Sequence, residues 1–116
     1  MRVIVDAFGG DNAPLEIIKG AAQAAAEYAI EISLTGRQDE IRRVAAQNGI
    51  GLDGITIIDA PDVILMSDEP RSILKEHKDC SMAEGLRRLA AGEGDAFVSA
   101  GSTGALIMGA TFFVKR

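Results

Sequence analysis

Apolar positions along the chain switch between two periods. Val3, Ile4 and Val5 form a short run closed by Asp6, and Ile30, Ile32 and Leu34 alternate with polar or small neighbours. Residues 55–58 and 96–98 are two more short apolar runs, so four buried strands are predicted. Between them the spacing turns helical. Apolar residues fall at 15, 18, 22, 25 and 29, with Glu16, Lys19, Gln23 and Glu27 opposite them, which predicts an amphipathic helix after Pro14. Residues 37–48 predict a second helix with Ile41, Val44 and Ala45 inward and Gly49 as its stop. Ser81-Met82-Ala83-Glu84 matches a capping box with Ser81 as N-cap, opening a third helix with Met82, Leu86 and Leu89 inward and Gly92 after it. Thr35-Gly36 reads as a turn, residues 59–79 as an irregular stretch punctuated by Pro61 and Pro70, and Gly101-Ser102-Thr103-Gly104 as the entry to a fourth helix.

Strand and helix thus alternate four times. The predicted fold is α/β, a three-layer α/β/α arrangement around a mainly parallel sheet covered on both faces. Ligands of such sheets bind beyond the carboxyl ends of the strands, which singles out the loops 6–14 and 99–104.

Charge and composition narrow the function. Twelve Lys and Arg against seventeen Asp and Glu give a net charge of −5, the reverse of the balance a generic nucleic-acid binder needs, so no nucleic-acid partner is expected. A single cysteine, Cys80, permits no intrachain disulfide. Val3-Ile4-Val5 meets Asp6 too soon for the apolar core of a signal peptide, which makes the cytoplasm the expected compartment. Residues 96–114 form an uncharged run of 19, near the length of a membrane span, but Ser99-Ala100-Gly101-Ser102-Thr103-Gly104 would interrupt a lipid-facing helix and suits a strand-to-helix turn. The segment 105–114 is apolar all round and its pattern still runs at Arg116, so further chain or a second subunit is expected to cover it.

Each glycine-rich loop has two readings. In Asp6-Ala7-Phe8-Gly9-Gly10-Asp11-Asn12-Ala13-Pro14 a carboxylate ends a strand, and Gly9 and Gly10 permit positive φ or close backbone approach ahead of a helix N-terminus that favours anions. The alternative is a tight turn in which Asp11 or Asn12 caps the helix. Ser102, Thr103 and Gly104 offer amides and hydroxyls that could nest a phosphate, or simply a cap. No third glycine makes the first loop a dinucleotide fingerprint, and no lysine makes the second a P-loop. Arg71, Lys75, His77 and Lys78 are the one cationic cluster. Lys78 could neutralise a phosphate or belong to a solvated face, and His77, in a polar run without metal-ligand companions, reads as exposed. Cys80 has no paired base and reads as inert.

Three segments taken in order resemble a family. Asp6 to Pro14, Lys78-Asp79-Cys80-Ser81-Met82, and the run from Gly94 to Leu106 are similar to the bacterial phosphate acyltransferases of phospholipid synthesis, the PlsX family. Phe8 stands where that family usually has methionine and Cys80 where it usually has serine. The resemblance implies a fold similar to the isocitrate and isopropylmalate dehydrogenases, with residues 1–116 as the N-terminal part of one longer acyltransferase domain whose cleft lies between two parts. It implies transfer of a fatty acyl group from acyl carrier protein to inorganic phosphate, giving acyl phosphate, without a metal or organic cofactor. Lys78 and Asp6 are then the candidate catalytic residues, and Gly9, Gly10, Asp11, Ser102, Thr103 and Gly104 the candidate phosphate- or substrate-binding ones. A homodimer and peripheral membrane association with a downstream glycerol-3-phosphate acyltransferase are further expectations. Two other readings stand beside it: a relative using coenzyme A thioesters, and a non-catalytic binding or dimerisation module.

Overall fold

The computed structural model describes residues 1–114; Arg116, on which the reading of an uncapped end rests, lies outside them. Four strands, β1 (Arg2–Asp6), β2 (Glu31–Gly36), β3 (Ile55–Asp59) and β4 (Ala96–Val98), pair in parallel throughout, in the order β3-β2-β1-β4. The helices are α1 (Leu15–Tyr28), α2 (Gln38–Gln47), α3 (Ser81–Ala90) and α4 (Thr103–Gly109), with a 3-10 turn at Pro70–Leu74 and a wide π-type turn at Ala110–Val114.

Strand alternation sorts the side chains into two cores. On one face Val5, Ile32, Leu34 and Ile57 meet Ile18 and Ala21 of α1 and Ile41 and Ala45 of α2. On the other, Phe97 joins Met82, Ala83 and Leu86 of α3, together with Ile64, Ile73 and Ala105. Gly85 lets α3 lie close to β4, because a Cβ there would run into the Phe97 ring. Helices therefore cover both faces, as the alternation predicts.

Packing corrects three local expectations. The inward stripe of α1 centres on Ile18 and Ala21 rather than Ala22, and Ala29 is exposed, closing the helix in a left-handed conformation at φ 55°. Thr35 and Gly36 do not turn the chain; they extend β2 beside Ile58 and Asp59 of β3. Ser81 does not cap α3. Cys80 does, its Sγ accepting from the Ala83 amide at 3.3 Å, because the Ser81 hydroxyl is committed elsewhere.

The strand order places a switch point in the sheet. From β1 the chain steps outward through β2 to β3, then returns by α3 to β4 on the far side of β1. The helices that follow β1 and β4 therefore pack on opposite faces of the sheet, and such a divide is where open parallel sheets bind ligands.

Candidate functional site

Asp6 ends β1 at that divide and is 2% exposed. Its Oδ1 accepts from the Ser81 hydroxyl at 2.6 Å and from the Phe8 amide at 3.0 Å; its Oδ2 accepts from the Ser99 hydroxyl at 3.0 Å. Ser99 Oγ in turn accepts from the Gly101 amide at 3.0 Å. Burial outweighs these bonds and holds the Asp6 carboxyl above the usual carboxylate range. Thr35 fixes the same region from β2, its hydroxyl donating to the Ser81 carbonyl at 2.9 Å. One side chain thus joins the three segments that the sequence singled out: the loop after β1, the start of α3, and the loop after β4.

The two glycine loops touch. A Cβ on Gly9 would lie 2.7 Å from both the Gly101 amide nitrogen and Ser99 Oγ, so close approach demands glycine there. Gly10 needs its freedom for another reason, a φ of 101°. Asp11 is exposed on the same loop, ahead of α1. Ser102 caps α4, accepting the Ala105 amide on its side chain at 3.2 Å and the Leu106 amide on its carbonyl at 3.0 Å. A helix start leaves its first amides without intrahelical acceptors, and Thr103 and Gly104, which carry them here, are both exposed. Gly104 also abuts the 3-10 turn, since a Cβ there would lie 2.9 Å from Pro70 Cγ.

Lys78 is exposed, and its carbonyl accepts from Arg87 on α3 at 2.5 Å. It precedes Ser81 by three residues, but the bond to Asp6 is made by Ser81 and not by Lys78. The first turn of α3 itself is closed to an anion: the Ser81 amide donates to the Asp62 carbonyl, the Ala83 amide to Cys80 Sγ and the Glu84 amide to the Cys80 carbonyl. Cys80 is fully buried, and that burial pushes its thiol up, away from nucleophilic use.

His77 departs from its reading. It is half-buried, with Nδ1 2.6 Å from Asp62 Oδ2 and Nε2 3.4 Å from Asp68 Oδ2. The hydrogen bond it gives to Asp62, added to the charges of Asp62, Asp68 and Glu76, raises its pKa. Sequence reasoning missed this because Asp62 lies 15 residues away and only the folded loop brings it back. A cleft of about 550 Å³ opens beside it, lined by Arg71, Lys75, Met108 and Phe112 among others. Sequence reasoning named Ser81 as a cap and Ser99 only as the start of a loop, and paired neither with Asp6; the order in which β4 docks beside β1 creates both contacts. Among the described residues, no group of three or more His, Cys, Asp or Glu is placed to hold a metal ion, and no helix is long and apolar enough to cross a membrane.

Comparison with known proteins adds a relationship to this geometry. A family described as fatty acid synthesis protein matches residues 1–116. The chain is 40% identical over 116 residues to a phosphate acyltransferase of Thermoanaerobacterium thermosaccharolyticum, covering all of this chain and 34% of that one. It is 41% identical to a phosphate acyltransferase of Thermotoga neapolitana, covering all of this chain and 32% of that one. A phosphate acyltransferase of Halothermothrix orenii is 38% identical over 117 residues, with 35% of its length covered. The chain spans about a third of the length of these curated relatives.

Proposed function

The chain belongs to the fatty acid synthesis protein family, and from that premise we propose that it forms part of a phosphate acyltransferase of lipid synthesis, one that transfers an acyl group from acyl carrier protein to inorganic phosphate. The observation that carries the reading is the convergence of three loop segments at the divide between β1 and β4, all bonded to Asp6.

The reaction asks for two things. Phosphate must be held with one oxygen against a thioester carbonyl, and the charge that develops on that carbonyl oxygen must be met by fixed donors. In the proposed arrangement the exposed amides of Thr103 and Gly104 and the Thr103 hydroxyl hold phosphate, the backbone around Gly9 and Gly10 forms the opposing wall, and the Lys78 ammonium supplies the counter-charge. Asp11 borders the entrance. A phosphate oxygen attacks the carbonyl carbon, the C–O bond forms, the C–S bond breaks, and the carrier leaves as its thiolate. The remaining wall of the cleft, the homodimer and the membrane-associated partner reaction are assigned to the whole protein, of which these residues are a part.

The test is acyl phosphate formation by the full-length protein with acyl carrier protein or coenzyme A thioesters as donor. Thr103→Val should raise the KM for phosphate by about tenfold, the cost of one lost hydrogen bond to a charged group, with the acyl-donor KM unchanged. Lys78→Gln should act in the same direction. Gly104→Val is the poorer probe, because its side chain would also displace Pro70. Phosphate kinetics untouched by both Thr103→Val and Lys78→Gln would remove this site, and preference for coenzyme A thioesters would replace the donor.

A further inference from the structure

Asp6 is the one carboxylate that the fold buries at the site, yet nothing about its setting suits contact with a substrate. Both oxygens are occupied by donors from the protein itself, and the side chain is closed off beneath the loops. What it touches is informative. Ser99 donates to Asp6, and that fixes the hydroxyl proton, so the lone pairs of Ser99 Oγ are left for the Gly101 amide. Gly101 opens the Ser102-Thr103-Gly104 segment, and it packs within 3.3 Å of Gly9 through the position a Cβ would take. The conformation of the anion loop is therefore set by a directed chain of hydrogen bonds that begins at Asp6. Ser81 and the Phe8 amide hold the other oxygen, so Asp6 keeps a backbone donor on that side when the Ser81 hydroxyl is removed.

Resting on the phosphate-site reading, we infer that Ser99 is a positioning residue for phosphate, and that Asp6 acts through it by orienting the Ser99 hydroxyl rather than by moving a proton. Ser81 anchors the same carboxylate but lies on the α3 side of it, off the path to Gly101. The two serines thus make equivalent bonds with different consequences.

The chemistry predicts which substitutions are tolerated. In Asp6→Asn the amide oxygen still accepts from Ser81 and Phe8, and the amide nitrogen donates to Ser99 Oγ, which reverses one bond while Ser99 keeps a lone pair for Gly101. In Ser99→Ala the half-buried Gly101 amide loses its acceptor, and one lost hydrogen bond that holds the binding conformation corresponds to about tenfold in binding.

The experiment combines amide hydrogen exchange by NMR with steady-state kinetics and phosphate calorimetry on the full-length protein. Ser99→Ala should speed exchange of the Gly101 amide by about tenfold or more and raise the phosphate KM and dissociation constant by about tenfold, with kcat changed less than threefold. Ser81→Ala should leave Gly101 exchange within about twofold of the parent, which a general loosening of the fold would not do. Asp6→Asn should keep kcat within about fivefold and leave the pH profile unmoved, whereas loss of a proton carrier would cost about a hundredfold or more. Unchanged Gly101 exchange in Ser99→Ala, an equal response in Ser81→Ala, or a hundredfold fall in kcat for Asp6→Asn would each overturn the inference. A parent protein that makes no acyl phosphate but binds phosphate would sink the functional reading alone, and the exchange and calorimetric arms would still decide the positioning role.

Discussion

At the scale of single residues, Asp6 sets a trade between burial and bonding. Three donors favour its ionised form, and desolvation opposes it more strongly, so its pKa in the folded protein lies above its ordinary value of 3.8. The sign follows from linkage: the contribution to stability is fully present below the unfolded pKa and is lost as pH rises through the folded one. Asp6→Asn carries no such titration. Thermal denaturation at pH 3 and pH 7 should therefore show the difference in Tm, variant minus parent, moving in favour of Asp6→Asn at the higher pH. A difference that moves the other way would mean that the bonds from Ser81, Phe8 and Ser99 outweigh burial. Neighbouring glycines at this scale have separate reasons to be glycine, which sequence cannot tell apart: φ at Gly10, and backbone contact with Gly101 at Gly9.

Among the elements, the stretch from β3 to α3 is held by side chains rather than by regular structure. Asp62 bonds His77 and, through its carbonyl, the Ser81 amide, while Asp68 approaches the other ring nitrogen and binds the Leu65 amide at 2.7 Å. A protonated His77 donates to Asp62 and attracts the nearby Asp68 by its charge; a neutral one keeps at most the bond to Asp62. Because its folded pKa is raised, this support is complete below the unfolded value of about 6.5 and disappears as pH climbs through the folded pKa. Limited proteolysis of residues 59–79 should accelerate across that window in the parent, and His77→Gln should be cut at one rate throughout. An unchanging rate in the parent would show that the 3-10 turn and Ile64 and Ile73, not the ion pairs, hold the loop.

For the molecule as a whole, what stands out is apolar surface left open. Val3, Val5 and Val98 share one sheet face; α1 packs against Val5, but Val98 at the β4 edge is 52% exposed. A cleft of about 300 Å³ there is lined by Val3, Val5, Ile17 and Ala24 among others. At the far side Ile107 and Phe112 are 62% and 51% exposed. Parallel sheets are ordinarily covered on both faces, and apolar patches of this kind favour association. These 116 residues on their own should therefore show a mass by light scattering that grows with concentration. Val98→Asp together with Ile107→Lys should reduce that growth without lowering helix content, and a parent that stays monomeric at every concentration would contradict it.

By itself the sequence determined the four strands, the helices between them and the loops that matter, because apolar period, glycine and proline are local signals written within ten or twenty residues. It also offered Ser102 or Thr103 as the cap of a helix start, and in the fold Ser102 takes that place. Only the tertiary structure decided the strand order, and with it the divide between β1 and β4. Sequence spacing does not tell whether β4 docks beside β3 or returns across the sheet to β1. From that single choice come the contacts of Asp6 with Ser99, 93 residues away, and with Ser81, 75 residues away. It also explains the exchange of caps at α3: with Ser81 drawn to a buried carboxylate, the cap falls to Cys80, the residue before it. A capping motif records which bonds are within reach along the chain, and the fold offered Ser81 a stronger acceptor from outside it.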